Sequence, residues 1–135
     1  MPKTERVLKF RAWDDTNKKW AYEGFHLFGE VMVFDLLRLY KLEDACKSLS
    51  FQQFTGYKDF NNKDVYEGDI IKSINGQIEL AVVEFNNAAF WLKSYDPMYG
   101  EHHEEIYHWP ANRIALEVVG NINENPELLP KIISV

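Results

Sequence analysis

Residues 65–93, Val65-Tyr66-Glu67-Gly68-Asp69-Ile70-Ile71 continuing through Asn75-Gly76, Gln77 to Phe85, Asn86-Asn87 and Ala88 to Lys93, carry the reading that decides the fold. Gly68 between Glu67 and Asp69 marks a tight turn just before a strand. Ile70 to Ile74 and Gln77 to Phe85 flank Asn75-Gly76, the dipeptide best suited to a type I′ turn, whose two central positions both need positive φ. Asn86-Asn87 closes a second hairpin onto Ala88 to Lys93, because asparagine tolerates the left-handed region better than most residues. The expectation is a three-stranded antiparallel meander.

Outward from this meander, two-residue periodicity continues to dominate. Val7 to Trp13 reads as a strand, with Leu8, Phe10 and Ala12 on one side and Lys9 and Arg11 on the other. The polar turn Asp14-Asp15-Thr16-Asn17 returns it through Lys19-Trp20-Ala21-Tyr22 as an N-terminal hairpin. Val31 to Phe34 suits a strand, whereas the leucine-rich residues from Leu36 to Leu49 favour helix. Phe51 to Phe54 is a short strand, followed by a polar loop through Asn61-Asn62-Lys63. Ser94 to Asn112 reads as a long polar and aromatic excursion, a kind of segment that in compact domains is usually functional or mobile. Ala115 to Val119 is a final strand stopped by Gly120-Asn121. Asn125-Pro126-Glu127 then offers an N-cap residue, a proline at the first helical position and an acid in the first turn, so a short helix begins there. The fold class expected is mainly β, with one or two short helices.

Composition narrows the classes of function. With 135 residues the chain matches one domain of about 100–150 residues. Hydrophobic residues make up 46 % and aromatic ones 15 %, enough for a packed core, which excludes a disordered or low-complexity chain. No apolar run approaches the roughly 20 residues that cross a bilayer, and the Met-Pro-Lys-Thr-Glu start is no signal peptide. A cytoplasmic protein without membrane attachment is expected. The single cysteine, Cys46, excludes an intrachain disulfide and a multi-thiolate zinc site.

The net charge of −6 is unevenly spread. Residues 1–20 hold six basic and three acidic side chains, and residues 96–135 hold two basic and seven acidic ones. An acidic whole argues against sequence-independent nucleic-acid binding, which needs a broad basic face that releases counterions.

Three stretches share a further likeness: Phe10-Arg11-Ala12-Trp13-Asp14 with Lys18-Lys19-Trp20, then FQQFTGYKDFNNKDVYEGDII over 51–71, and EVVGNINENPELL over 117–129. Together they resemble the YopX-like proteins of bacteriophages and prophages. The matching motif residues are Trp13, Thr55, Gly56, Asp59, Tyr66, Glu67, Gly68, Asp69, Gly120, Asn121, Asn125 and Pro126. Two positions depart from the pattern: Tyr57 stands where leucine is expected, and Asn62 where glycine is usual, which requires Asn62 to take a turn conformation. The resemblance implies a single domain over 1–135, with a partly open SH3-like antiparallel barrel roughly at 51–122. It also implies phage or prophage origin and work in the cytoplasm of a bacterial host, and it implies no reaction.

Several constellations have a chemical and a structural reading. Asp59, Asp64, Glu67 and Asp69 are four carboxylates within eleven residues, a set able to gather around Mg²⁺, although aspartates in turns also serve by bonding their own backbone. His102, His103, Glu104, Glu105 and His108 lack the paired i, i+4 histidines of an HExxH zinc site. Read as extended chain, His102 and Glu104 share one side. Cys46 has an apolar setting that suits packing. No nucleophile elbow or phosphate-cradling glycine loop is present. Phe10, Trp13, Trp20, Tyr22 and Phe25, interleaved with Arg11, Lys18 and Lys19, suit either base stacking on a ribbon or packing at one end of the barrel. Trp91 and Trp109 flank the histidine-rich excursion as candidate partner-binding rings.

The leading expectation is a non-enzymatic binding module without cofactor or metal. It contacts a protein partner or itself, as a homo-oligomer, through exposed aromatics and an open strand edge. Single-stranded or structured nucleic acid bound by the N-terminal ribbon is one alternative, and a metal-dependent hydrolase is another.

Overall fold

The computed structural model describes residues 9–26, 49–74, 78–96, 98–106 and 116–130. The chain is mainly β and forms two compact units, Met1–Phe54 and Thr55–Val135. The reading of residues 31–48, with Cys46, lies outside the described residues.

In the first unit, β1 (Lys9–Asp14) and β2 (Lys19–His26) form the expected N-terminal hairpin, and β1 also pairs antiparallel with the start of β3 (Leu49–Lys58). The Asp14 carboxylate shapes the turn: Oδ1 accepts the amides of Thr16 and Asn17 at 3.0 and 3.1 Å, and Oδ2 accepts Asn17 Nδ2 at 2.7 Å. These bonds favour the charged form, so the Asn17 side chain first, then the Asn17 and Thr16 amides and the nearby Lys19, hold Asp14 below its ordinary pKa against the opposing effect of burial. Trp13 is buried and meets Trp20 edge to face at 5.0 Å. Arg11 is buried too, because its Nε donates to Gln52 Oε1 at 2.7 Å and its guanidinium lies 4.5 Å from the centre of the Trp20 ring. The alternation of Lys9 and Arg11 therefore does not produce a solvated face.

β3 is ten residues long and runs on through Thr55-Gly56, where the sequence suggested that a strand of four ended. Gly56 has φ +90°, which only glycine adopts without strain. In the strand order of this sheet, β2-β1-β3-β4, the short β4 (Asp64–Tyr66) follows β3.

The second unit holds a five-stranded antiparallel sheet in the order β8-β7-β6-β5-β9, curled into a half-barrel. Its strands are β5 (Asp69–Ser73), β6 (Ala81–Asn86), β7 (Ala89–Asp96), β8 (Gly100–Glu105) and β9 (Leu116–Asn121). The meander is present as β5-β6-β7, with two adjustments. β6 begins at Ala81 rather than Gln77, since Ser73 clasps Ile78 first: the Ser73 amide donates to the Ile78 carbonyl at 2.9 Å and the Ile78 amide donates to Ser73 Oγ at 2.7 Å. Asn75-Gly76 lies outside the described residues. The second hairpin turns at Asn87 and Ala88, φ 50° and 61°, one residue later than read, with Asn86 opposite Ala89.

Ser94 to Asn112 is not a loop excursion over its described part. β7 extends to Asp96, and β8 pairs back onto it from Trp91↔Glu105 to Asp96↔Gly100. Polarity misled the reading, because Glu101, His102 and His103 are exposed on both faces of β8, and a strand without a buried face has no apolar alternation to show.

The core under the curled sheet is Val65, Ile71, Ala81, Val83, Leu92, Ile106 and Leu116, with Tyr57 and Val118 packed against it. Tyr57 thus takes up the packing expected of a leucine. On the opposite face Ile70 and Val82 are covered by Leu80, Val119, Ile122 and Leu128. Both Val118 and Val119 are used because a bulge between the pairs Ile70↔Gly120 and Ile71↔Val118 gives β9 one extra residue. Pro126–Leu128 forms a 3₁₀ turn begun at Asn125, whose side chain makes no capping bond to it. No helix among the described residues is long and apolar enough to cross a membrane.

Candidate functional site

The motif carboxylates do structural work. Asp59, 4 % exposed, accepts three backbone amides, those of Asn61 and Lys63 on Oδ1 at 2.9 and 2.8 Å and that of Val118 on Oδ2 at 2.9 Å. One side chain thereby folds its own loop and pins β9, 59 residues away in sequence. Asn62 in that loop has φ 63°, the turn conformation the departure from glycine requires. Asp69, also buried, accepts the Tyr66 amide at 2.8 Å across the Glu67-Gly68 turn, where Gly68 has φ +85°. Asp64 faces Lys58 Nζ at 3.4 Å. Among the described residues, no group of three or more His, Cys, Asp or Glu side chains is placed to hold a metal ion.

The remaining motif residues knit backbone to backbone. Thr55 Oγ1 donates to the Val65 carbonyl at 2.7 Å, fastening β3 to β4, and accepts the Tyr57 amide. The Gly68 amide donates to the Val83 carbonyl at 2.7 Å while its own carbonyl accepts the Ile122 amide at 2.8 Å. Asn121 Oδ1 accepts the amides of Asn123 and Glu124, and Asn125 Oδ1 accepts the Asn121 amide at 3.2 Å. Thr55, Asp59, Gly68, Asp69, Asn121 and Asn125 of the motif thus each make bonds that hold turns and strands together.

Several described side chains of the N-terminal ribbon have partners within the chain, while Lys19 stays exposed. Trp13 and Arg11 are buried, Lys18 pairs with Asp15 at 2.8 Å, and Lys9 Nζ stands 5.3 Å from the Phe54 ring centre. The side chains of Tyr22 and Phe25 lie outside the described residues.

A partly exposed, charged surface occurs on the outer face of β6, β7 and β8. Strand register sets it, since directly opposed residues share a face. One row runs Ile70–Val82–Lys93–His103 across β5 to β8, and the next runs Glu84–Trp91–Glu105. The first row grades from buried Ile70 to a His103 side chain that is 44 % exposed. Lys93 Nζ lies between Glu84 at 3.7 Å and Glu101 at 3.3 Å, and His103 Nε2 lies 3.9 Å from the other Glu101 oxygen. Trp91 is half-buried, and its Nε1 donates to the Asn86 carbonyl at 2.7 Å, which fixes the ring's orientation.

His102 and Glu104 share the opposite face of β8, 4.0 Å apart, as extended chain predicts. The histidines thus divide between two faces of one strand rather than converging. His108 and Trp109 lie outside the described residues. Sequence reasoning missed Met98 and Tyr99 at the β7-β8 turn, which are 79 % and 84 % exposed. The signal was present, because Asp96-Pro97 and Gly100 bracket them with turn residues.

The family model described as YopX protein matches residues 9–130. No curated protein matches the chain. Among solved structures the chain is similar to the crystal structure of protein EF1440 from Enterococcus faecalis, with 21 % identity, a TM-score of 0.60, and coverage of 93 % of this chain and 99 % of that one. This likeness concerns the fold.

Proposed function

The chain belongs to the YopX family, and from that premise we propose that it is a non-enzymatic binding module of phage or prophage origin. It acts in the cytoplasm of a bacterial host by holding a protein partner or a second copy of itself. The observation that carries this reading is a division of labour. The motif's buried carboxylates, Asp59 and Asp69, are turned onto backbone amides, whereas Trp91 and the charged residues around it occupy a partly exposed sheet face. Aromatic rings in such settings supply much of the energy of protein interfaces.

Native mass spectrometry of the protein purified gently from its host tests it. A discrete oligomer or a second polypeptide is expected, and a bare monomer overturns the reading. Trp91→Ala is expected to weaken that association at least tenfold while the thermal midpoint falls by only a few degrees. A fall of roughly 10 °C or more assigns the ring to packing instead.

A further inference from the structure

The row Glu84–Trp91–Glu105 has a chemistry that narrows the kind of partner. Trp91 stands on the central strand of three, with a glutamate directly opposite on each side. Opposed side chains in such pairs start about 5 Å apart at Cβ, so the two glutamates flank Trp91 in the row, within reach of a cation seated on its ring. The bond from Trp91 Nε1 to the Asn86 carbonyl holds the ring in one orientation. A ring face attracts cations, and flanking carboxylates add to that attraction. The only cation described on this part of the face is Lys93, which Glu84 and Glu101 already neutralise. Glu105 has no ion-pair partner among the described residues.

We infer that the Glu84–Trp91–Glu105 row receives a lysine or arginine side chain from an extended, basic segment of a partner protein. The inference rests on the binding-module reading and gives it a partner chemistry. Charge complementarity supports it: β8 carries three glutamates and neither lysine nor arginine. A second copy of this chain is the weaker occupant, because three of its described N-terminal cations, Arg11, Lys9 and Lys18, already have partners of their own. Arg11 lies on Trp20 and Gln52, Lys18 on Asp15 and Lys9 on Phe54.

The test uses the full chain and a fluorescently labelled, alternating Arg-Ser octapeptide, with an alternating Glu-Ser peptide as control, read by anisotropy. Saturable binding of the Arg-Ser peptide alone is expected, weakening as salt rises from about 50 mM to about 300 mM. Glu84→Gln with Glu105→Gln should weaken it about fivefold to tenfold. Trp91→Ala should weaken it further, and Trp91→Phe should retain most of it, since a phenyl ring still presents a face to the cation. Unchanged circular dichroism, with a thermal midpoint lowered by no more than a few degrees, identifies variants that remain folded. Binding that ignores the glutamine pair, or equal binding of the Glu-Ser peptide, overturns the basic partner. In that case a second polypeptide in the native mass spectrum still upholds the binding module, so the two failures are distinguishable. A dimer abolished by the glutamine pair replaces the foreign segment with a second copy.

Discussion

Asn125 occupies with its side chain the space that a β-carbon on Gly120 would need: Oδ1 lies 2.6 Å and Cγ 2.9 Å from that position. The same Oδ1 accepts the Asn121 amide, so the side chain cannot move aside without releasing a bond. The pair explains why glycine and asparagine stand five residues apart in the Gly-Asn-Ile-Asn-Glu-Asn motif. Gly120→Ala should destabilise the protein by about 1–3 kcal/mol in urea denaturation. Adding Asn125→Ala should cost less than the sum of the two single changes, because the second removes the clash made by the first. Strict additivity would refute the contact.

Asp59→Ala should be among the most damaging single substitutions outside the apolar core. Three backbone amides lose their acceptor, at about 1–3 kcal/mol for each buried donor left unsatisfied. Asp59→Asn should lose less, since one oxygen remains to accept. Hydrogen exchange locates the effect: the Val118 amide should lose protection in Asp59→Ala, and preserved protection there contradicts the assigned role.

Ala88 sits at φ 61° in a two-residue turn, a conformation that costs an L-residue about 1–2 kcal/mol and glycine almost nothing. Ala88→Gly should therefore stabilise the protein by about 0.5–1 kcal/mol after the entropy of the unfolded glycine is counted. Chemical denaturation with an unchanged m-value checks it, and a loss of stability would mean the turn is formed differently.

Asp14 should contribute to acid sensitivity. Its pKa in the fold is lowered, chiefly by Asn17. Its stabilisation is therefore complete above the unfolded-chain value of about 3.9 and is lost as pH falls through the lower folded value. Asp14→Asn should be less stable than the native protein at neutral pH, and the gap should narrow below about pH 4. Parallel melts across that range measure the gap, and a constant difference would remove Asp14 from the acid response.

Much of the fold was legible because glycine and asparagine mark turns for steric reasons that do not depend on distant contacts. Gly68 with φ +85° and Asn87 with φ 50° are where short-range rules place them. β8 was not legible, since Gly-Glu-His-His-Glu-Glu has no apolar alternation and pairs only because β7 lies beside it. The length of β3 was hidden for a related reason: Thr55-Gly56 reads as a break, yet Thr55 gains a bond from β4 that only tertiary structure supplies. Of the site, the aspartates were visible as a cluster and ambiguous in role. The distances put Asp59 and Asp69 on backbone amides, and the Asp59 bond to Val118 spans too much sequence to be foreseen from local pattern. Trp91 was visible as a ring, but its two glutamate neighbours come from β6 and β8 and depend on register.

The charged composition of β8 has a consequence for life at high concentration. Strands at the end of a sheet are where like molecules stack into fibres, by offering a ladder of amides and carbonyls to the next chain. Among the described residues β8 stands last in its sheet and brings Glu101, Glu104 and Glu105 to that position. Two such strands stacked parallel and in register, as in fibres, would set Glu101, Glu104 and Glu105 each against its own copy. The glutamates that leave β8 unrecognisable as a strand from sequence thus place like charges where stacking of copies would have to begin.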